Sequence, residues 1–287
     1  MMKKIVILGC ENSHADQYLK QLAAGVCPEI QCIGVYSNEP EAAERLREKF
    51  GVPVMDRFDE AVGEVDGVVI TARDGVHHYE YAKPYLASGV PMFIDKPITC
   101  DPAEAVEFMR ECRKNGVRLC GGSTVILWPN AVQLQEFAAV RRQNILAGTV
   151  AAPLHIDSQH SGFWFYAQHL VQLVTSVFGA PKSLTARRDG KRVSVLFHYE
   201  NYEVAGLYHE VNSYHVDVIT KEESLALNIP ADNSAYGKEL EELDRLLDGA
   251  EPEMTYEELI EPVFIMDAII RSYTEERSVE VEYLCLD

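Results

Sequence analysis

The first 120 residues alternate between short apolar runs and longer amphipathic stretches. The run from Lys4 to Leu8 is continuously apolar after its lysine, as expected for a strand buried on both faces. A helix-length stretch follows from Ser13, and the alternation predicts βαβ units in a Rossmann-like, doubly wound parallel sheet. Further strands are predicted at 30–36, 68–71, 91–94 and 117–120, and further helices at 39–50, 75–88 and 101–115.

After Gly121-Gly122 the pattern changes. Helix-like stretches at 130–147 and 164–178 precede five strand-like runs between 182 and 229, and helices at 235–247 and 256–273 precede a final strand at 279–284. Short strands joined by hairpin turns predict a C-terminal α+β domain with an open, mostly antiparallel sheet. We therefore expect a Rossmann-like dinucleotide-binding domain at 1–121 and an α+β substrate and oligomerisation domain at 122–287.

The strands of this second sheet carry more apolar and aromatic side chains than two helices can cover. Such a face is expected to be buried against another subunit, so we predict a homodimer or homotetramer. The residues behind this prediction are Val195, Phe197, Tyr199, Val204, Gly206, Tyr208, Tyr214 and Val216.

Composition then excludes several classes of protein. The 287 residues carry 26 Lys and Arg against 45 Asp and Glu, a net charge of −19, so there is no basic stripe for a nucleic acid. No apolar run approaches the ~18 residues of a membrane span, and the start lacks the apolar stretch of a signal peptide. The seven cysteines include no Cys-x-x-Cys pair, which suits reduced thiols. We expect a cytoplasmic protein that acts on a small molecule.

The first turn of the parallel sheet is the first place to look for a ligand, because such ligands lie beyond the carboxyl ends of the strands. A dinucleotide site favours Gly-x-Gly-x-x-Gly there, so that the backbone and a helix N-terminus approach the pyrophosphate. Only Gly9 of the three is present, and Glu11 stands at the second position, where a carboxylate repels a diphosphate unless it points away. We therefore expect Glu11→Gly to tighten dinucleotide binding, while a nucleotide-free turn stays open as an alternative.

Two further strand ends carry polar groups. Ser37 and Asn38 follow the second strand, where an acidic residue favours NAD and an arginine favours NADP, so the sequence leaves the two cofactors open. Asp95-Lys96-Pro97 ends a buried strand, which directs the lysine and aspartate into the ligand crevice, and the proline fixes the backbone beside the lysine.

These segments together resemble the Gfo/Idh/MocA family of NAD(P)-dependent oxidoreductases, which act mostly on sugars, inositols and related polyols. Asp95-Lys96-Pro97 matches the family's Glu-Lys-Pro, and His78 lies eighteen residues before the lysine, as is typical of the family. The resemblance continues through Trp128-Pro129-Asn130 to the helix that begins near Tyr256. With the strand ends, it assigns to the cofactor site Gly9, Cys10, Asn12, Ser13, Ser37, Asn38, Ala72, Arg73, His78, Asp95 and Lys96.

The resemblance also points to the helix at 164–178. There the family has Asp-x-x-x-His followed by a second aspartate, and His169 occupies the histidine position. Phe165 and Gln172 stand at the aspartate positions, so Phe165 shares a helix face with His169 but cannot exchange a proton. Tyr166 is expected to serve as a polar contact instead.

A histidine-rich segment precedes this helix. We assign Asp157, His160, Trp164 and Tyr166 to the substrate. If 155–157 is a strand, His155 and Asp157 point the same way, and with His160 and His169 they form an alternative metal set.

The sequence thus predicts an oxidoreductase that transfers a hydride between NAD or NADP and a sugar, polyol or related carbinol or ketone. Lys96 would stabilise charge on the reacting oxygen, and His169 would be the general acid/base. Two alternatives remain: a catalytically silent descendant that binds a sugar or nucleotide, and a metal-dependent lyase or hydrolase built on the histidine segment.

Overall fold

The computed structural model describes residues 2–286, which form two compact units. The first comprises residues 2–122, 233–259 and 286, and the second comprises residues 123–232 and 260–285. The division after Gly122 lies close to the predicted boundary. Residues 233–259, which the sequence assigned to the second domain, pack instead within the first unit.

The first unit contains a five-stranded parallel sheet. Its strands are β1 (Lys3–Leu8), β2 (Ile30–Tyr36), β3 (Gly67–Ile70), β4 (Met92–Asp95) and β5 (Leu119–Gly122). They lie in the order β2-β1-β3-β4-β5, and one parallel bridge between Val35 and Val54 extends the sheet beyond β2. The strand order changes direction between β1 and β3, which is where open parallel sheets bind ligands. The predicted doubly wound sheet is confirmed, with each strand within two residues of its predicted bounds.

Five helices accompany this sheet: α1 (Ser13–Ala23), α2 (Pro40–Phe50), α3 (His78–Leu86), α4 (Pro102–Asn115) and α7 (Ala235–Leu247). The last comes from far along the chain. Its Leu240, Leu243 and Leu246 are buried in one apolar cluster with residues of β1, and Lys3 Nζ lies 2.6 Å from a carboxylate oxygen of Asp244. The leucines of α7, spaced three residues apart, therefore pack with the parallel sheet. This is a long-range contact that helical periodicity alone does not specify.

The second unit contains a seven-stranded mixed sheet. Its strands are β6 (Ile145–Pro153), β7 (Ser183–Asp189), β8 (Arg192–His198), β9 (Glu203–His209), β10 (His215–Thr220), β11 (Ser224–Asn228) and β12 (Val279–Glu280). Their order is β11-β10-β6-β9-β8-β7-β12. The central pair β6–β9 is parallel and the other pairs are antiparallel, so the predicted mostly antiparallel sheet is confirmed.

One helical prediction in this unit needs correction. The predicted helix 130–147 ends early, since α5 is Pro129–Ala139 and strand β6 begins at Ile145. A run of Ile, Leu, Ala and Val suits either structure, and pairing with two neighbouring strands decides for the strand. Helices α6 (Trp164–Phe178) and α8 (Tyr256–Glu275) lie close to the predicted bounds, and α8 continues from the first unit into the second. No helix among residues 2–286 is long and apolar enough to cross a membrane.

The sheet face that we expected another subunit to cover is already buried within the chain. Phe197 and Val204 are fully buried, and Tyr208 donates its hydroxyl to the Ala167 carbonyl of α6. The opposite face is the open one, and it carries small or apolar side chains such as Ala151, Ala205 and Leu207. An interface with another subunit is therefore expected on the other side of the same strands.

A homo-oligomer stays a prediction, now placed on this open face. Leu207 is 46% exposed there. Asp217 Oδ1 on β10 and His209 Nδ1 on β9, the two strands that flank β6, are buried without a hydrogen-bond partner among the described residues. Leu207→Lys should therefore lower the mass measured by light scattering, because a charge in place of this exposed leucine opposes burial of the face. Val140→Lys, which changes an exposed valine just after α5, is the control and should leave the mass unchanged. A monomeric unmodified protein at micromolar concentration would contradict the prediction.

Candidate functional site

The carboxyl ends of β1, β2, β3 and β4 meet at one edge of the parallel sheet. Gly9, directly after β1, has a positive φ of 80°, and a Cβ there would lie 2.3 Å from the Ala72 Cα. Only glycine allows this approach, so the turn after β1 rests directly on the loop after β3. Asn12 ties the same two loops, because its side-chain amide donates to the Thr71 carbonyl at 2.6 Å. Its side-chain oxygen also accepts from the His14 backbone and thereby caps α1.

Glu11 links the ends of three strands. Its carboxylate accepts from the Ser37 hydroxyl at 2.9 Å and from the Arg73 backbone N–H at 2.7 Å. The Arg73 guanidinium in turn donates to the Glu11 carbonyl. The Glu11 side chain is buried, with 6% of the residue exposed. Glu11 is thus turned toward β2 and β3, and the repulsion expected from the sequence does not follow from this orientation.

Other residues assigned to the cofactor differ in accessibility. The backbone N–H groups of Gly9 and Cys10 both donate to the Tyr36 carbonyl, and Cys10 is buried. Ser13 and Asn38 are exposed at the same edge. Of the assigned residues, these last two present side chains outward, whereas Cys10 belongs to the packing beneath the turn.

Asp95, at the end of β4, is paired with a histidine that sequence reasoning missed. Its Oδ2 lies 2.5 Å from His14 Nδ1, and its Oδ1 accepts from the Lys96 backbone N–H at 2.7 Å. Burial raises the pKa of the Asp95 carboxyl, but the charge and hydrogen bond of His14 and the charge of Lys96 outweigh it, so this pKa is held well below its usual range. Position 14 is where a dinucleotide fingerprint has its third glycine, and that position was the available signal.

Lys96 follows Asp95 and is almost fully buried, with 5% exposed. Its peptide bond to Pro97 is cis. Burial lowers the pKa of the Lys96 ammonium, and the neighbouring Asp95 carboxylate opposes that shift. The lysine therefore occupies the edge of the sheet where the sequence placed it, beside an ionised carboxylate.

His78, which was assigned to the cofactor site, is held between two backbone segments. It is fully buried, its Nδ1 lies 2.6 Å from the Pro97 carbonyl, and its Nε2 lies 2.9 Å from the Ala72 carbonyl. Burial lowers the pKa of its imidazole. Both ring nitrogens face backbone oxygens, so His78 joins the loop after β3 to the segment that carries Lys96, and its contact with the cofactor stays a prediction.

In the second unit, His169 belongs to a buried polar network. Its Nδ1 lies 2.6 Å from the Ser123 hydroxyl oxygen. The side-chain oxygen of Gln172, one helical turn further on, accepts a hydrogen bond from the Ser123 backbone N–H at 2.8 Å. Tyr166 contacts the His169 ring edge-on, with ring centroids 4.7 Å apart, and burial raises the pKa of its hydroxyl. Tyr166 is thus a neighbour of His169 as predicted, whereas Ser123 was not foreseen.

The histidine segment does not assemble as the metal alternative requires. Residues 155–157 form a turn rather than a strand, and Asp157 makes an exposed ion pair with Lys191 at 3.0 Å. The Tyr166 ring contacts both His155 and His169. Within residues 2–286, no group of three or more His, Cys, Asp or Glu side chains is arranged to hold a metal ion.

Of the predicted substrate residues, the structure brings Tyr166 to His169 and leaves the others apart. His160 packs against the Phe165 ring, with centroids 5.5 Å apart. Trp164 is half-buried at the start of α6. Asp157 is engaged at the surface with Lys191, so its assignment to the substrate has no support from this geometry.

The parallel sheet, its strand order and the close turn after β1 define a Rossmann-fold domain of the nucleotide-binding type. Residues 3–123 match the Gfo/Idh/MocA family model, described as an oxidoreductase family with an NAD-binding Rossmann fold. The match is to the family that the sequence resembles, and the predicted cofactor class, a nicotinamide dinucleotide, is that of the matched family. A comparison with curated protein sequences found no match.

Solved structures resemble the whole chain. GenD2 from gentamicin A biosynthesis, solved with NAD, is 19% identical with a TM-score of 0.85 over 98% of this chain and 96% of its own. A putative myo-inositol dehydrogenase from Sinorhizobium meliloti is 18% identical, with a TM-score of 0.84 over 98% and 100%. The WlbA dehydrogenase from Chromobacterium violaceum, solved with NADH and UDP-GlcNAcA, is 15% identical, with a TM-score of 0.83 over 100% and 97%. At these identities the likeness establishes the fold.

The edge of the parallel sheet fits a nicotinamide dinucleotide. Gly9 allows the close turn, the start of α1 supplies backbone donors, and the Glu11 carboxylate is turned inward onto its own donors. Ser13 and Asn38, exposed at this edge, and the ammonium of Lys96 would hold it. The departure at Glu11 is therefore compatible with the cofactor of the family.

This orientation reverses the expectation for Glu11→Gly. The glycine removes both hydrogen bonds that join the strand ends, each worth about 1.5–3 kcal/mol for a charged acceptor, so the melting temperature should fall and dinucleotide binding should not tighten. Glu11→Gln is the matched variant: its amide oxygen can accept from Arg73 N–H and its NH₂ can donate to the Ser37 hydroxyl, without the charge. Calorimetric titration with NADH and NADPH provides the measurement. Tighter binding by both variants would show that charge repulsion, not the link between strands, governs the site.

Proposed function

We propose that this protein is an oxidoreductase that transfers a hydride between a nicotinamide dinucleotide and a secondary alcohol or ketone of a sugar or polyol. One observation carries the proposal: a buried lysine beside an ionised aspartate ends β4, in a domain of an NAD-binding oxidoreductase family. The solved structures of similar fold include dehydrogenases for inositols and a sugar nucleotide, which supports the substrate class.

Lys96 is proposed to stabilise negative charge on the reacting oxygen. Burial lowers the pKa of the Lys96 ammonium, and the Asp95 carboxylate, which His14 keeps ionised, opposes that lowering. A bound nicotinamide would supply the hydride acceptor or donor. The lysine's part is electrostatic, since developing charge is stabilised most strongly where water is excluded.

His169 is proposed to move the proton. An imidazole is the side chain whose unperturbed pKa of about 6.5 suits reversible proton transfer near neutral pH. His169 is 6% exposed, and its Nδ1 is hydrogen-bonded to the Ser123 hydroxyl, which orients the ring.

The first experiment measures binding and then turnover. The melting temperature of the purified protein is followed with NAD(H), NADP(H) and EDTA, and a panel of polyols and keto sugars is screened for change in nicotinamide absorbance. A rise with one dinucleotide and turnover of one substrate support the proposal. Binding without turnover across the panel favours the silent descendant, and loss of stability with EDTA favours a metal protein.

Lys96→Met should remove most turnover and leave dinucleotide binding largely intact. Methionine has a similar length but no charge, and the charge matters chiefly as the oxyanion develops. The measurements are kcat with the identified substrate and the dinucleotide Kd. Lys114→Met, at an exposed position on α4, is the matched control and should keep full activity. A fully active Lys96→Met protein would place the charge stabilisation elsewhere.

His169→Ala should lower kcat by ~10²–10⁴-fold, the usual contribution of a positioned acid or base. The pH profile of kcat should also flatten between about pH 6 and 8, because the group that titrates there is gone. His198→Ala, at a histidine on the open face of the second sheet, serves as control. Unchanged kcat and an unchanged pH profile would exclude His169 as the proton-transfer group.

A further inference from the structure

Ser123, the residue after β5, contacts the ring that we propose to transfer the proton. Its hydroxyl oxygen lies 2.6 Å from His169 Nδ1, and the two residues are 2% and 6% exposed. A buried imidazole nitrogen that has this partner does not exchange its hydrogen bond with bulk water. The contact therefore fixes both the plane of the ring and which nitrogen faces the serine.

The serine is itself held in place from two directions. Its backbone N–H donates to Gln172 Oε1 at 2.8 Å, and the same oxygen accepts from Gln168 Nε2 at 2.9 Å. Its hydroxyl oxygen accepts a long hydrogen bond of 3.4 Å from the Val125 backbone N–H. Gln172 stands where the resembled family has an aspartate, so in this chain that position supports the backbone of Ser123 rather than a proton transfer.

We infer that Ser123 is the positioning residue of His169: its hydroxyl occupies Nδ1, so that proton exchange with the substrate runs through Nε2. This inference rests on the proposed function, and it supplies the partner that Phe165, at the place of the family's first aspartate, cannot supply. A ring nitrogen's hydrogen bond sets the tautomer of a histidine, and therefore decides which nitrogen reacts.

A serine hydroxyl suits a reversible reaction because it both donates and accepts. In the direction of alcohol oxidation, Nδ1–H donates to the serine oxygen while the Nε2 lone pair takes the proton of the substrate hydroxyl, and a bound oxidised nicotinamide would accept the hydride from the same carbon. The alcohol would thereby become a ketone, and the Nδ1–H of the resulting imidazolium would still donate to Ser123. In the reverse direction the imidazolium returns the Nε2 proton to the oxygen.

The other rings that contact His169 belong to Tyr166 on α6 and to Tyr214, just before β10. Burial raises the pKa of the Tyr166 hydroxyl above its ordinary value near 10, so Tyr166 stays neutral near neutral pH. Loss of the Ser123 hydroxyl leaves the Nδ1–H of the imidazolium without this acceptor. The protonated ring is then disfavoured, and the midpoint of the kcat profile should move to lower pH.

The test compares Ser123→Ala with Ser123→Thr, which retains a hydroxyl. For Ser123→Ala we expect kcat to fall about 10–100-fold with KM little changed, as when an outer hydrogen-bond partner is lost. Ser123→Thr should restore much of the rate. Ser176→Ala is the matched control, because this serine lies on α6 and donates to the Leu173 carbonyl within that helix. Melting temperatures establish that all variants are folded.

A second readout does not depend on activity. In protein labelled with nitrogen-15 at histidine, the His169 resonances are assigned by their loss in His169→Ala. We expect the Nδ1 resonance and the kcat midpoint to shift in Ser123→Ala, to return in Ser123→Thr and to stay in Ser176→Ala. If Ser123→Ala lowers kcat with neither shift, the serine is merely structural and the inference is wrong.

The two proposals fail in different ways. If the unmodified protein turns over no substrate, the proposed function falls, and the catalytic use of this contact falls with it. If the protein is active and depends on His169, but Ser123→Ala has an unchanged kcat, pH profile and Nδ1 resonance, only the inference about Ser123 is overturned.

Discussion

A carboxylate taken out of water destabilises the fold unless donors replace the water, and this constraint organises the edge of the parallel sheet. Glu11 finds its donors on Ser37 and Arg73, and Asp95 finds them on His14 and the Lys96 backbone. Each carboxylate therefore joins loops that are far apart along the chain. The positions that the sequence marks as departures from a dinucleotide fingerprint are the ones that tie the strand ends together.

The sequence could predict those features of the first unit that depend on local burial, but not those that depend on contacts between distant segments. Continuous apolar runs and helix-length amphipathic segments report local burial, so the strands of the parallel sheet were predicted closely. Which donor meets Glu11 depends on β1, β2 and β3 lying side by side. The sequence near position 11 shows that a carboxylate is present but not where its side chain points. The sequence therefore suggested repulsion from a ligand, whereas the structure turns that charge onto the protein's own backbone and serine.

In the second unit the errors have a different cause. The segment that begins at Ile145 was read as helix because short apolar runs fit both periods, and its pairing with β9 and β10 is a long-range fact. The prediction that another subunit covers the apolar face of the sheet was wrong for a similar reason. Alternation along a strand identifies an apolar face but not the helix that covers it. Val204 and Phe197 lie beneath the chain's own helices, which leaves Leu207 and its neighbours on the open side.

Where this chain departs from the motifs of the resembled family, a group from a distant segment replaces the missing motif residue. This holds in both units, and in neither does a neighbour in sequence take over. His14 takes a glycine position and supports Asp95, and Ser123 reaches the histidine that a helical aspartate would otherwise accompany. A hydroxyl differs from a carboxylate in carrying no charge, so it favours the protonated ring less strongly than a carboxylate would. If His169 acts in both directions of a redox reaction, that neutrality is an advantage, since neither protonation state of the imidazole is trapped by its partner.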